Sequence, residues 1–258
     1  MSAVLLDVAG LGVAFGGVRA LDGVDLRVAK GSVHGLVGPN GAGKTTLLNC
    51  VARLIQPDAG TIRFDGVDLM ACAAHEVAAL GISRTFQNFG LIAQLNVLEN
   101  VMLGWHARHP GTLLDELLRF GRRNRFEREA REQALQALAR AGLSEFSQRA
   151  VGSLSYGMRK GVELARADVL QPRLLLLDEP TAGLSRAEMQ SLARTIARMR
   201  ERSGVTVLVI THHIEFLIEV ADEVTVLDLG RRIAAGPPTL LRDDPRVVAA
   251  YVGTEDIE

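Results

Sequence analysis

Gly38-Pro39-Asn40-Gly41-Ala42-Gly43-Lys44-Thr45, followed by Thr46, sets small residues, one cation and two hydroxyls in the order G-x-x-x-x-G-K-[ST]. Backbone N–H groups that no large side chain shields can wrap a polyphosphate at close range. A helix beginning at the lysine adds about half a positive charge at its N-terminus. In such a loop Lys44 reaches the β- and γ-phosphates and the Thr45 hydroxyl holds Mg²⁺. A second constellation closes an apolar run: Leu174–Leu177 is followed by Asp178 and Glu179. Neighbouring residues at a strand end point in different directions, so the two acids can have separate tasks. Asp178 can support Mg²⁺ directly or through a water, and Glu179 can polarise the water that attacks the γ-phosphate. These two features alone leave kinases, GTPases and motors open.

The elements that must position these groups are legible from apolar patterning. Ser32–Val37, Leu174–Leu177 and Val205–Ile210 are short Val, Ile and Leu runs without alternation. Such runs suit strands buried on both faces, as in a parallel sheet. Each precedes a plausible helix start, so the chain reads as α/β. Ligands in such folds bind beyond the C-terminal ends of the strands, where both constellations fall. Thr61–Phe64 and Val67–Leu69 flank Asp65-Gly66, a hairpin signal, and the first 30 residues read as further short strands of an antiparallel layer. From Val97 to about Gly142 the composition is helical. Within it, Glu127–Ala141 is expected to place Ala130, Ala134, Leu135 and Leu138 near one face. A helical subdomain over about 89–154 is therefore expected, inserted between core segments 1–88 and 155–258.

The chain has 258 residues, 29 basic and 30 acidic, with 48% hydrophobic and 23% charged residues. This balance excludes a fibre or a disordered tail, and the length suffices for a substantial core. Cys50 and Cys72 are the only cysteines and form no CxxC pair, which argues against a disulfide scaffold or a cysteine zinc site and fits a reducing compartment. The start lacks a basic n-region and carries Asp7 early, unlike a secretory signal. No apolar run approaches the roughly 20 residues of a membrane span, so a membrane role is expected to come through a partner. The near-zero net charge gives no case for nucleic acid. Between Arg119 and Arg131 stand six arginines and two glutamates, read as a solvated helix face in preference to a surface for anionic lipid.

Further motifs narrow the class. Ser153-Leu154-Ser155-Tyr156-Gly157, ahead of an expected helix from Met158 to Leu170, resembles the LSGGQ signature loop of ABC ATPases. Gln87, in Arg84-Thr85-Phe86-Gln87, resembles the Q-loop glutamine that senses Mg²⁺ and water. Pro180-Thr181-Ala182-Gly183-Leu184-Ser185 resembles the D-loop, and His212 the switch histidine that contacts the γ-phosphate. Phe15, 29 positions before Lys44, stands where an aromatic residue stacks on adenine. The resemblance covers essentially the whole chain. FGG-x-x-AL from Phe15, RTFQN, LSYG, EPTAGL and the C-terminal AAYVGTE resemble the branched-chain amino acid importer branch in particular, the longer of its two ATPase subunits. Urea, amide and aromatic-acid importers use similar subunits. A lipopolysaccharide exporter cassette is another reading, and soluble ABC proteins acting on DNA or ribosomes commonly fuse two cassettes or carry a coiled-coil insertion.

What the resemblance implies is a P-loop NTPase core with a mainly parallel sheet, an antiparallel β-layer and a helical insert. It implies ATP and Mg²⁺ as ligands, and Ser155 and Gly157 as donors to the γ-phosphate bound by another subunit. It implies a second ATP-binding subunit, identical or related, transmembrane permeases, and indirectly a periplasmic or extracellular binding protein. The expected place is the cytoplasmic face of the inner membrane, with Phe89-Gly90-Leu91-Ile92 a candidate docking segment. Four positions depart from the family pattern: Phe15 for Tyr, Met158 for the signature Gln, Ser185 for Asp or Asn, and His213 for Asp.

Overall fold

A computed structural model describes residues 3–85, 90–108 and 122–252. The strands are β1 (Val4–Phe15), β2 (Val18–Ala29), β3 (Val33–Val37), β4 (Ala59–Phe64), β5 (Val67–Asp68), β6 (Ile82–Arg84), β7 (Leu174–Asp178), β8 (Thr206–Ile210), β9 (Glu223–Asp228) and β10 (Arg231–Gly236). The helices are α1 (Lys44–Val51), α2 (Ala74–Ala79), α3 (Val97–Arg108), α4 (Arg122–Arg140), α5 (Tyr156–Val169), α6 (Arg186–Ser203), α7 (Ile214–Val220), α8 (Leu240–Asp243) and α9 (Pro245–Val252).

The strands form two sheets. One is antiparallel, in the order β2-β1-β4-β5; the other runs β10-β9-β3-β8-β7-β6. Within the second, β9, β3, β8, β7 and β6 are parallel and β10 closes one edge antiparallel. The three uninterrupted apolar runs are its central strands, and every residue of β3, β7 and β8 is buried. That is the physical reason they lack alternation: both faces are covered. The Asp65-Gly66 turn joins β4 to β5 with positive φ at both residues, 49° and 82°. The second of these strands is shorter than the expected Val67–Leu69, because Leu69 is buried and opens a 3₁₀ turn capped by Asp68.

The chain clusters into two compact units. The first comprises Met1–Arg84, Arg173–Ala182 and Arg200–Glu258, the second Thr85–Pro172 and Gly183–Met199. In the first, one buried cluster joins Leu6, Leu11 and Ile62 of the antiparallel sheet to Leu36, Leu176 and Leu208 of the parallel sheet, with Leu47 and Leu48 of α1 in the same cluster. In the second, Val97 and Val101 of α3, Ala134 and Leu138 of α4, and Val162, Ala165 and Val169 of α5 form a separate core. The helix after the signature loop thus packs with the helical unit, whereas its sequence position suggested a division near 154/155. Its apolar stripe is what assigns it there.

One expected core residue is displaced. Ala130, Ala134 and Leu138 are fully buried, but Leu135 is 37% exposed. Five residues beyond Ala130, it lies about 140° around the helix from it, off the stripe that Ala137 completes. Of the expected docking segment, Leu91 packs against the helical core and Ile92 is exposed. Phe89 lies outside the described residues.

A candidate nucleotide site at the ends of parallel strands

The parallel register aligns three strand ends. Leu36 of β3 pairs with Ile210 of β8, and Asp178 of β7 pairs with Ile210 from the other side. The loops that leave these strands carry Gly38–Lys44, Glu179 and His212, so all three emerge at one edge of the sheet, beyond the C-terminal ends.

The glycine loop is shaped by close backbone approaches. Gly38 has φ 151°, and a Cβ there would lie 2.0 Å from the Leu227 carbonyl oxygen. Gly43, φ 96°, would put a Cβ 2.4 Å from the Ala20 oxygen. Neither position admits a side chain. Ala42 is buried, while Asn40, Gly41 and Thr45 are exposed and Thr46 is half-buried. Helix α1 starts at Lys44 with neither a side-chain cap nor an acidic residue in its first turn. No cap or acidic residue of α1 itself compensates its N-terminal donors and dipole, the property that suits an anion. Lys44 Nζ donates to the carbonyls of Gly38 and Pro39, 2.7 Å each. Burial lowers its pKa, opposed by the nearby carboxylates of Glu179 and Asp178. From α9, the half-buried Tyr251 lies against the Gly38 backbone, and burial raises its phenol pKa.

The two adjacent acids sit in different surroundings. Asp178 is 1% exposed, and its Oδ2 accepts from Arg84 Nη2 at 2.7 Å. Its other oxygen, Oδ1, is buried without a hydrogen-bond partner among the described residues. Glu179 has left-handed backbone, φ 48°, unusual for a residue with a side chain. Its N–H donates to the Ile210 carbonyl at 2.9 Å, and its Oε2 lies 3.1 Å from His212 Nδ1. The loops bearing Glu179 and His212 are fastened by a buried hydrogen bond between the Thr181 and Thr211 hydroxyls. His213 stacks beside His212, centroids 4.3 Å apart. Its pKa is lowered by burial and by His212, against the pull of Glu179.

Among the described residues no three or more His, Cys, Asp and Glu side chains converge as a metal cage. The oxygens present suit Mg²⁺ better than a closed site. Mg²⁺ keeps several waters and takes one or two protein oxygens plus phosphate. Asp178 Oδ1 and the Thr45 hydroxyl would be its protein contacts, and the unpartnered buried oxygen is the observation that favours this. Gln87 lies outside the described residues.

Phe15 is at the end of β1, with half its surface exposed. An exposed ring there is available for stacking on a base. Ser155 and Gly157 belong to the helical unit. Ser155 caps α5, its Oγ accepting from Met158 N at 3.3 Å. Gly157 faces Glu188 of α6: a Cβ would meet Glu188 Oε1 at 2.2 Å. Glu188 also accepts from the Ser185 N–H at 2.9 Å and hydroxyl at 2.8 Å. Those bonds, together with one from the Gly157 N–H, lower its pKa. One carboxylate thus ties the D-loop turn to the signature turn. Glu188 was missed from sequence, although Ser185-x-x-Glu188 is a capping-box spacing that points to it. Arg84, Asn49, Thr181 and Thr211 carried no such signal.

The chain is similar to known proteins over nearly its whole length. The chain is 40% identical over 253 residues to the high-affinity branched-chain amino acid transport ATP-binding protein BraF of Pseudomonas aeruginosa, covering 98% of this chain and 99% of the relative. It superposes on the ADP conformation of MJ1267, an ATP-binding cassette of an ABC transporter, with TM-score 0.85 and 31% identity, over 98% of this chain and 100% of the other. The dimeric post-hydrolysis state of the cassette MJ0796 bound to ADP and Pi matches with TM-score 0.76 and 26% identity, over 91% and 99%. The ABC transporter family model matches residues 21–182, which hold the glycine loop, the signature turn and the acid pair, and the chain belongs to that family.

Proposed function

We propose that this chain is the ATP-hydrolysing subunit that powers an importer of branched-chain amino acids or related small solutes. It pairs with a second ATP-binding subunit, identical or related, on the cytoplasmic face of the inner membrane. The pair docks on permeases that a periplasmic or extracellular binding protein supplies. No helix among the described residues is long and apolar enough to cross a membrane, so the permeases form the passage.

The observation that carries the reading is the division of labour between Asp178 and Glu179. Asp178 is paired with a permanent cation, which suits a carboxylate that holds one fixed direction toward a metal-bound water. Glu179 faces a histidine, which suits proton transfer. In the hydrolytic step Glu179 accepts a proton from the attacking water as its oxygen bonds to the γ-phosphorus and the bond to the β,γ-bridging oxygen breaks. His212 orients Glu179 and reaches the γ-phosphate. Lys44 and the α1 N-terminus spread the phosphate charge over fixed donors. Thr45, Asp178 and Gln87 would hold Mg²⁺, which when bound would supply charge neutralisation on the phosphates. Phe15 stacks on adenine. Ser155 and Gly157 complete the site of the opposing subunit, so ATP favours the closed pair and its loss lets the pair part. Similarity to BraF along nearly the whole chain supports the cargo class, and the MJ0796 dimer supports the pairing.

The test is Glu179→Gln in the purified chain. Nucleotide binding is expected to persist while phosphate release slows by about 10²-fold or more. Near-parental hydrolysis would remove Glu179 from its role. For the cargo, vesicles carrying the chain with its co-encoded permeases and binding protein should accumulate labelled leucine on addition of ATP. Uptake of a sugar instead of leucine would replace the cargo assignment.

A further inference from the structure

The function proposed above leaves Arg84 without a task. It is 12% exposed, at the last position of β6, the edge strand of the parallel sheet. Strand β6 pairs in register with β7, Arg84 opposite Leu176, two residues before Asp178. One arm of its guanidinium donates to Asp178 Oδ2 at 2.7 Å, and the other to Asn49 Oδ1. Asn49 lies on α1, one helical turn beyond Thr45. A single planar, always-charged group therefore spans from the acid-bearing strand to the helix that follows the glycine loop.

From this geometry we infer that Arg84 is the positioning residue of the Mg²⁺ site: it fixes the spacing of Thr45 and Asp178 and turns Asp178 Oδ1 toward the metal. Two physical arguments support it. First, burying a carboxylate to 1% exposure is costly unless a counter-charge is paired with it. Arg84 supplies one to Oδ2 only and leaves Oδ1 without a partner among the described residues. The pair thereby selects which oxygen is left to face the metal, directly or through a water. Second, Mg²⁺ tolerates little deviation from octahedral geometry at about 2.0–2.1 Å. A site whose protein contacts come from two different elements, α1 and β7, needs a rigid link between them. The two-armed contact of Arg84 is such a link. A lysine, with one point charge, could satisfy Asp178 or Asn49 but not hold both in fixed directions.

The inference rests on the nucleotide-site reading, and its test separates the two. The binding of ATP to the purified full chain is measured by calorimetry in EDTA and again across a Mg²⁺ titration, for the parent, Arg84→Met, Arg84→Lys and Asn49→Ala. In Arg84→Met, metal-free ATP binding should stay within about twofold. The Mg²⁺ concentration for half-maximal effect should rise by roughly 10–100-fold, the range for losing a group that orients a metal ligand. Excess Mg²⁺ should restore hydrolysis, a rescue that general loss of structure would not allow. Arg84→Lys should fall between. Asn49→Ala keeps the buried ion pair and removes only the α1 arm, so it carries the test if Arg84→Met does not fold. It should shift the Mg²⁺ dependence several-fold. An unchanged Mg²⁺ dependence in a folded Arg84→Met, or in Asn49→Ala if that is the variant in hand, overturns the inference. Absence of ATP binding in the parent chain overturns instead the reading of the glycine loop.

Discussion

Asp178 and Glu179 are joined by one peptide bond, yet their surroundings differ by nearly every measure that sets carboxylate chemistry. Burial, a fixed guanidinium and a regular strand hold the first; a left-handed backbone, a histidine and partial exposure frame the second. The types of these residues were legible in the sequence, their surroundings were not. The same holds for the signature turn. Ser155 and Gly157 were named from the resemblance to the signature loop, and the structure adds that a Cβ at residue 157 would enter the space held by the Glu188 carboxylate. Gly157→Ala is therefore expected to push the flexible Glu188 carboxylate aside, at a net cost under about 1 kcal/mol in urea unfolding, because the helix propensity of alanine offsets part of the disturbed hydrogen bonding. Glu188→Ala should relieve part of that cost in the double variant, giving a coupling above about 0.5 kcal/mol. Strict additivity would show that the contact does not hold the turn.

At the scale of elements, continuous apolar runs located β3, β7 and β8 to within a residue or two, because burial on both faces leaves no alternation to confuse. Helix α4 was harder. Its buried stripe is mostly alanine, with Ala130, Ala134 and Ala137 each buried. A leucine one position off such a stripe looks as apolar in sequence as one on it. Leu138→Ala should destabilise the chain by about 2–5 kcal/mol, the cost of an internal cavity. Leu135→Ala, at an exposed position, should stay within about 0.5 kcal/mol. Chemical denaturation of the two variants decides it, and equal losses would place both residues in the core.

Over the whole molecule, a buried histidine links stability to pH. His34 of β3 is 3% exposed, its Nε2 is 2.9 Å from the Thr225 hydroxyl, and burial pushes its pKa from 6.5 down to about 4. Glu223 is the charged group facing its ring, 3.9 Å from Nδ1 and exposed to water. The unfolded chain takes up a proton near pH 6.5 and the folded chain resists until about 4. His34 therefore removes stability as pH falls through that window, by up to about 3 kcal/mol. Urea unfolding of the parent at pH 7 and 4.5, set against His34→Gln, should show a smaller loss in the variant; equal losses would remove His34 as the cause. The sequence by itself determined the family and the sheet, because short motifs in order along the chain and buried apolar runs are local patterns of residue type. Only the tertiary structure decided that Arg84 braces Asp178, that two threonines staple the loops of Glu179 and His212, and that α5 packs with the helical unit. Those contacts join residues far apart in the chain, and no local pattern encodes which side chains the folded register will bring face to face.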